Sequence, residues 1–125
     1  MKVNYSEIVS AKPALETLSK KELSVGEAVK IARLIKRLNS ELEIFATKQS
    51  EFCQKYGKIT EDGTQYRFDD LEKRKTFERK MTELLAFVVD IESETICLKS
   101  DIRIPAADVI NLERFITFES EETSV

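Results

Sequence analysis

From Ala28 onward the chain repeats an apolar step of three residues, then four: Ala28, Ile31, Ile35, Leu38, Leu42, Phe45, Gln49, Phe52, Tyr56. Only Gln49 breaks the apolar character. Alternating steps of three and four return to one side of a helix, so the ladder predicts a single long amphipathic helix. A helix of this kind cannot bury its stripe alone. Its apolar side must be covered by other helices of the chain or by a second chain. The strongest constraint in the sequence therefore concerns packing and partners rather than chemistry.

The ends of that helix are marked. Ser24-Val25-Gly26-Glu27 has the spacing of a capping box, in which the serine hydroxyl and the glutamate carboxylate satisfy each other's amides. Gly57 is the expected left-handed terminator. The helix over 24–56 would span about 50 Å at the usual rise per residue. Val25, Val29, Ala32 and Leu34 widen the apolar face of the first half, which predicts burial there against the preceding helix. The second half carries a narrower stripe.

The remaining elements follow from similar signals. Residues 1–5 read as a short strand or extended lead-in. Asn4 and Glu7 form a capping pair, and Ile8, Ala11, Leu15 and Leu18 predict a first helix over 5–20. Pro13 lies inside it and predicts a kink or a break, because its ring clashes with the carbonyl of Val9. Residues 57–69 read as a connector with a turn at Asp62-Gly63 and a short strand or ordered loop at Tyr66–Phe68. Asp69 and Glu72 have capping spacing, so a third helix is expected over 70–86, burying Leu71, Phe77, Met81, Leu84 and Leu85. It would fold back on the long helix as an antiparallel hairpin. Residues 88–104 change to short branched runs, read as strands near 88–92, 95–99 and 102–104. Pro105 suits the first turn of a last helix over 105–117, with Val109, Ile110, Leu112, Phe115 and Ile116 inward. Residues 118–125 read as a loose acidic tail. The expected fold is one mainly helical α+β domain: a kinked N-terminal helix, a long helical hairpin, a small antiparallel sheet and a C-terminal helix.

At 125 residues, 42% of them hydrophobic and 34% charged, the chain suits one domain with a core of its own. The N-terminus lacks the apolar core of a secretion signal and no run is long enough to span a membrane, so a cytoplasmic protein is expected. The net charge of −3 is unevenly spread. Residues 1–40 carry eight basic and four acidic side chains, residues 41–81 nine of each, and residues 82–125 three basic against ten acidic. An acidic total argues against nucleic acid as the partner.

Histidine is absent, which removes the commonest general base and metal ligand. Ser-His and Cys-His nucleophile pairs are therefore impossible within the chain. The two cysteines, Cys53 and Cys97, sit beside apolar residues and read as buried free thiols, with a disulfide between them as the alternative, unusual in the cytosol; two cannot complete a zinc site. The three glycines, Gly26, Gly57 and Gly63, form no phosphate-cradling loop. Asp90, Glu92 and Glu94 could share a strand face and hold a divalent cation, but their alternation with Val89 and Ile91 is fully explained by a solvated edge. No cofactor or metal is expected, and enzymatic activity is not.

Two candidate surfaces remain. Lys30, Arg33 and Arg37, with Lys36 beside them, form a basic stripe on the long helix that suits an acidic partner or a phosphate-bearing ligand. Phe45, Gln49 and Phe52 mark its distal half. Gln49 has two readings: a buried polar residue that fixes helix register against a partner, or, with the polar stretch Thr47–Ser50, the point where the seam leaves the core for water.

The order of elements also resembles small proteins encoded by tailed bacteriophages and prophages. The similar residues are Tyr5-Ser-Glu-Ile, Ala14-Leu-Glu-Thr-Leu, Leu23-Ser-Val, Ala28-Val-Lys-Ile-Ala-Arg-Leu-Ile-Lys-Arg-Leu, Tyr56-Gly57, Glu61-Asp62-Gly63, Tyr66-Arg-Phe, Val89-Asp-Ile-Glu and Ile104-Pro-Ala-Ala-Asp-Val-Ile-Asn-Leu-Glu. The resemblance covers about residues 5–117. Such proteins often show Ser-Pro-Ala-Asp at the last helix; Ile104 in place of that serine implies a weaker or shifted start. The resemblance implies a phage setting in a bacterial host cytoplasm and supplies no catalytic residues. The expected function is a non-enzymatic interaction module that binds a host or phage protein, with a second copy of the chain as a further expected partner. The alternative is an oligomer that sequesters an anionic nucleotide-like ligand at subunit junctions.

Overall fold

The computed structural model describes residues 1–99 and 101–119. Strand β1 (Lys2–Asn4) leads into helix α1 (Tyr5–Ser19), and helix α2 runs over Val25–Tyr56. A hairpin of β2 (Lys58–Ile59) and β3 (Tyr66–Arg67) follows, then α3 (Leu71–Ala86), β4 (Val88–Asp90), β5 (Ile96–Leu98), α4 (Ala106–Leu112) and β6 (Ile116–Phe118). The chain is thus a mainly helical α+β domain in which α3 returns against α2.

Capping chemistry sets the helix starts. Asn4 Oδ1 accepts from the Glu7 amide at 2.8 Å, and Glu7 Oε1 accepts from the Asn4 amide at 3.0 Å. Ser24 and Glu27 make the same reciprocal pair at 3.2 Å each way. Each box satisfies two amides that a helix start leaves unpaired. At α3 the cap is Asp70, which accepts from the Lys73 amide at 3.1 Å, one residue later than the spacing predicts. Asp69 instead lies 3.8 Å from Arg67 Nε.

The first helix, not the long one, is the centre of the core. Tyr5, Ile8, Ala11, Ala14, Leu15 and Leu18 of α1 are all buried. From its 32 residues α2 gives only Ile31, Leu34, Leu38 and Phe45. Val3, Ile91, Ile96, Leu98, Leu112, Phe115 and Ile116 complete the cluster. Helix α1 touches α2, α3 and α4. It runs unbroken through Pro13, where a kink or break was expected. Val9, whose carbonyl the proline ring frees, is solvent-exposed, so water can take that carbonyl.

Several other expectations are corrected. Val25 (83% exposed), Val29, Ala28 and Ala32 stand out of the core, and only Leu34 of the widening residues enters it. Helix α1 covers one side of α2, and those residues lie on another. Helix α3 has no fully buried residue, and Leu71 is exposed. In place of one antiparallel sheet the described residues form three two-stranded ribbons: β1–β4 and β2–β3 antiparallel, β5–β6 parallel.

Residues 102–104 form no strand, and the last helix ends at Leu112 instead of 117. The reason lies in the β5–α4–β6 crossover. Parallel strands need a connection of about a dozen residues, normally helical, and residues 99–115 supply it. Phe115 and Ile116 are inward as expected, but in a turn and a strand, while Val109 and Ile110 are exposed. Among the described residues no side chain caps α4, where Pro105 precedes the first helical residue. Phe118 belongs to β6, so the tail does not begin there; the rest of it, 120–125, lies outside the described residues.

Gly57 is extended (φ −111°, ψ 175°), not left-handed. Space is what requires glycine there: a Cβ would come within 2.9 Å of the Cys53 carbonyl oxygen and 3.0 Å of the Phe68 ring. The positive φ belongs to Gly63 (+73°), in the turn of the β2–β3 hairpin.

Tyr5 joins three elements. Its hydroxyl donates to Glu41 Oε2 at 2.9 Å, and its ring centroid lies 5.5 Å from that of Phe45 and 6.3 Å from that of Phe87. Burial, then the hydrogen bond and negative charge of Glu41, push its pKa from 10.0 up to about 12. The folded state therefore holds this proton more tightly than the unfolded chain does. That contribution is complete below pH 10.0 and disappears as pH rises through about 12. Alkaline unfolding should steepen across that window, and Tyr5→Phe should flatten it. An unchanged pH slope in the variant would count against this role for Tyr5.

Candidate binding faces of the long helix

The first half of α2 presents three sides. Ile31, Leu34 and Leu38 point into the core. At about 100° per residue, Lys30, Arg33 and Arg37 lie on one flank of that core stripe. Ala28, Ala32 and Ile35 lie on the other, with Val25 and Val29 continuing outward. Lys36 falls about 90° round from the basic stripe, beside Val29 and Ala32. The stripe inferred from sequence thus divides: Lys30, Arg33 and Arg37 share a face, and Lys36 belongs to the apolar one.

The basic flank forms one wall of a cleft of about 640 Å³. Residues 90–97 form the opposite wall, with Glu92 and Glu94 among them and Ile91 and Ile96 buried beneath. Among the described residues, Lys30, Arg33 and Arg37 make no ion pair, and neither do Glu92 and Glu94. Asp90 is engaged by the N-terminal ammonium at 3.2 Å. The two walls face each other with opposite charge and do not close.

The apolar flank opens on a second groove of about 510 Å³, lined by Leu23, Ala28, Ile31, Ala32 and Ile35 together with the polar turn after α1. One turn on, Asn39 falls on the same side, and its Oδ1 is buried with no hydrogen-bond partner among the described residues.

The distal half of α2 is thinly covered. Phe45 is nearly buried against Tyr5 and is spent on the core. Gln49 is exposed, and Phe52 and Tyr56 are half-buried. Beyond them the Phe68 and Phe77 rings stack at 4.3 Å. Of the distal trio, Gln49 and Phe52 therefore remain accessible. The seam leaves the core where the polar stretch begins.

The cysteines are both free. Cys53 is half-buried, whereas Cys97 is exposed, contrary to expectation. Ile96 and Leu98 take the inward positions of β5, which turns Cys97 outward. Its thiol donates to Glu119 Oε1 at 3.0 Å, and that bond pushes its pKa up. Among the described residues no group of three or more Cys, Asp or Glu side chains could hold a metal ion. No helix there is long and apolar enough to cross a membrane.

Sequence reasoning located the basic stripe but missed the exposed apolar flank, which it placed in the core. It also left Glu92 and Glu94 as solvated edge residues; only the fold brings them opposite the stripe. Comparison with protein-family models, curated proteins and solved structures finds no match. The resemblance to phage-encoded proteins therefore rests on the residues quoted above.

Proposed function

We propose that this chain is a non-enzymatic, phage-type interaction protein of the bacterial cytoplasm, which binds a host or phage protein and modulates it. The observation that carries this reading is the exposed apolar flank of α2: Ala28 and Ala32 line a groove, and Val25, Val29 and Lys36 are exposed at helical spacing outside it. Contiguous exposed apolar surface of this kind marks interaction sites. The small Ala28 and Ala32 allow close approach, so the fitting partner is an amphipathic helix with an apolar ridge and an acidic flank. Gln49 and Phe52 extend the contact along the distal half.

Affinity capture from host or infected-cell lysate tests this. Ala28→Glu with Ala32→Glu should abolish capture of the partner while leaving the melting temperature nearly unchanged, because both sites are exposed. Lys36→Glu should weaken it several-fold. Capture that survives all three changes would sink the proposal. Self-association by light scattering, lost in the same variants, would assign the face to a second copy instead.

A further inference from the structure

The cleft on the other flank of α2 has its own chemistry, and its residues are not those of the apolar groove. We propose that it is a binding site for a small bipolar ligand of nucleotide size, with a phosphate at one end and hydrogen-bond-donating amines at the other.

Among the described residues no ion pair joins the two walls. Lys30, Arg33 and Arg37 project from a rigid helix. The facing segment is tethered at both ends. The Ile91 amide donates to the Met1 carbonyl at 2.8 Å, the N-terminal ammonium donates to the Ile91 carbonyl at 3.0 Å, and the Ile96 amide donates to the Phe115 carbonyl at 2.8 Å. Glu92 and Glu94 lie between these tethers and, among the described residues, make no ion pair with the cations. Opposite charges thus face each other across a gap that neither side closes.

A single charge on a ligand would satisfy one wall and be repelled by the other. An inorganic anion or an acidic peptide meets Arg33 and Arg37 favourably, but also meets two carboxylates. A ligand with both ends satisfies both. Its phosphate takes charge-assisted hydrogen bonds from the guanidinium groups, which match phosphate oxygens in pairs. Its amines donate to Glu92 and Glu94. Its body lies over Ile91 and Ile96, which are only 3% and 7% exposed and give an apolar floor. The volume of about 640 Å³ falls in the range usual for small-molecule sites.

Guanosine monophosphate is the probe that carries both ends, since its base edge offers neighbouring N–H donors. Ribose 5-phosphate carries only the phosphate end. Titration calorimetry should show guanosine monophosphate binding about tenfold more tightly than ribose 5-phosphate, the worth of one charge-assisted pair. Arg33→Gln with Arg37→Gln should weaken both by tenfold or more. Glu92→Gln with Glu94→Gln should reduce the nucleotide to the level of ribose 5-phosphate and leave the sugar phosphate no weaker. Circular dichroism checks that these exposed changes leave the fold intact. No binding of either probe at millimolar concentration overturns the proposal, and so does equal binding of the two. Binding of an acidic peptide alone also overturns it and gives the cleft to a protein partner. The Ala28→Glu and Ala32→Glu variant should bind guanosine monophosphate as the parent does, so loss of partner capture and loss of ligand are read separately.

Discussion

Phe115→Ala is expected to cost about 3–5 kcal/mol, a large share of the stability of a domain this size. The ring is 1% exposed and is the largest of the fully buried side chains. Its loss would leave a cavity that its neighbours cannot fill, because the backbone on both sides is fixed. The Phe115 amide donates to the Leu112 carbonyl at 2.8 Å, and its carbonyl accepts from Ile96 at 2.8 Å. The residue is therefore the hinge at which the chain leaves α4 and enters the parallel ribbon with β5. The next residue, Arg114 on its N-terminal side, ties the same turn to the other end of the chain. Its guanidinium donates to the Lys2 carbonyl at 2.6 Å and lies 3.3 Å from a Glu7 carboxylate oxygen. Urea unfolding should show the midpoint falling sharply with the slope unchanged. Leu71→Ala, at a position 53% exposed, should change stability by less than about 0.5 kcal/mol. Equal costs for the two changes would refute this description of the core.

Gly57→Ala is the second large effect, about 1–3 kcal/mol, and it should be local. The new methyl would meet the Cys53 carbonyl oxygen at 2.9 Å and the Phe68 ring at 3.0 Å. The backbone oxygen cannot retreat freely, since it accepts the Gly57 amide that closes α2. The ring must move, and with it the stack on Phe77. Hydrogen exchange should quicken at the C-terminal turn of α2 and the start of α3, while the amides of α1 stay protected. Uniform quickening over the whole chain would contradict a local clash. So would a neutral substitution.

These two residues also show what the sequence could and could not tell. Gly57 was legible as the end of the long helix, since Tyr56-Gly57 closes a ladder that the capping box at Ser24 opens. The reason for glycine was not legible. It depends on Phe68, eleven positions later, and on a hairpin whose docking no local pattern encodes. Phe115 was legible as a core residue, but its element was not: Leu112, Phe115 and Ile116 have helical spacing, and only pairing with β5 makes Ile116 a strand residue. Local chemistry thus revealed helix boundaries and inward positions, while nonlocal pairing decided strand direction and which apolar residues stay outside.

The same division governs the candidate sites. Lys30, Arg33 and Arg37 could be aligned from spacing alone, because helical geometry is local. The opposing carboxylates are some sixty positions away and meet them only through the tethering of the 91–96 segment. The exposed flank at Val25, Ala28, Val29 and Ala32 was placed in the core because an apolar stripe by itself does not say which neighbour covers it. Six buried residues of α1 claim the core, and α2 touches it with one side only.

If the uncovered flank of α2 receives a partner, site-directed photo-crosslinking should capture that partner at the contact. A benzophenone side chain placed at Val29 should yield one partner adduct in host or infected-cell lysate. The same group at Ile110, which is also exposed but lies on α4, should yield none. Adducts from Ile110 with none from Val29 would rule out a partner on this flank.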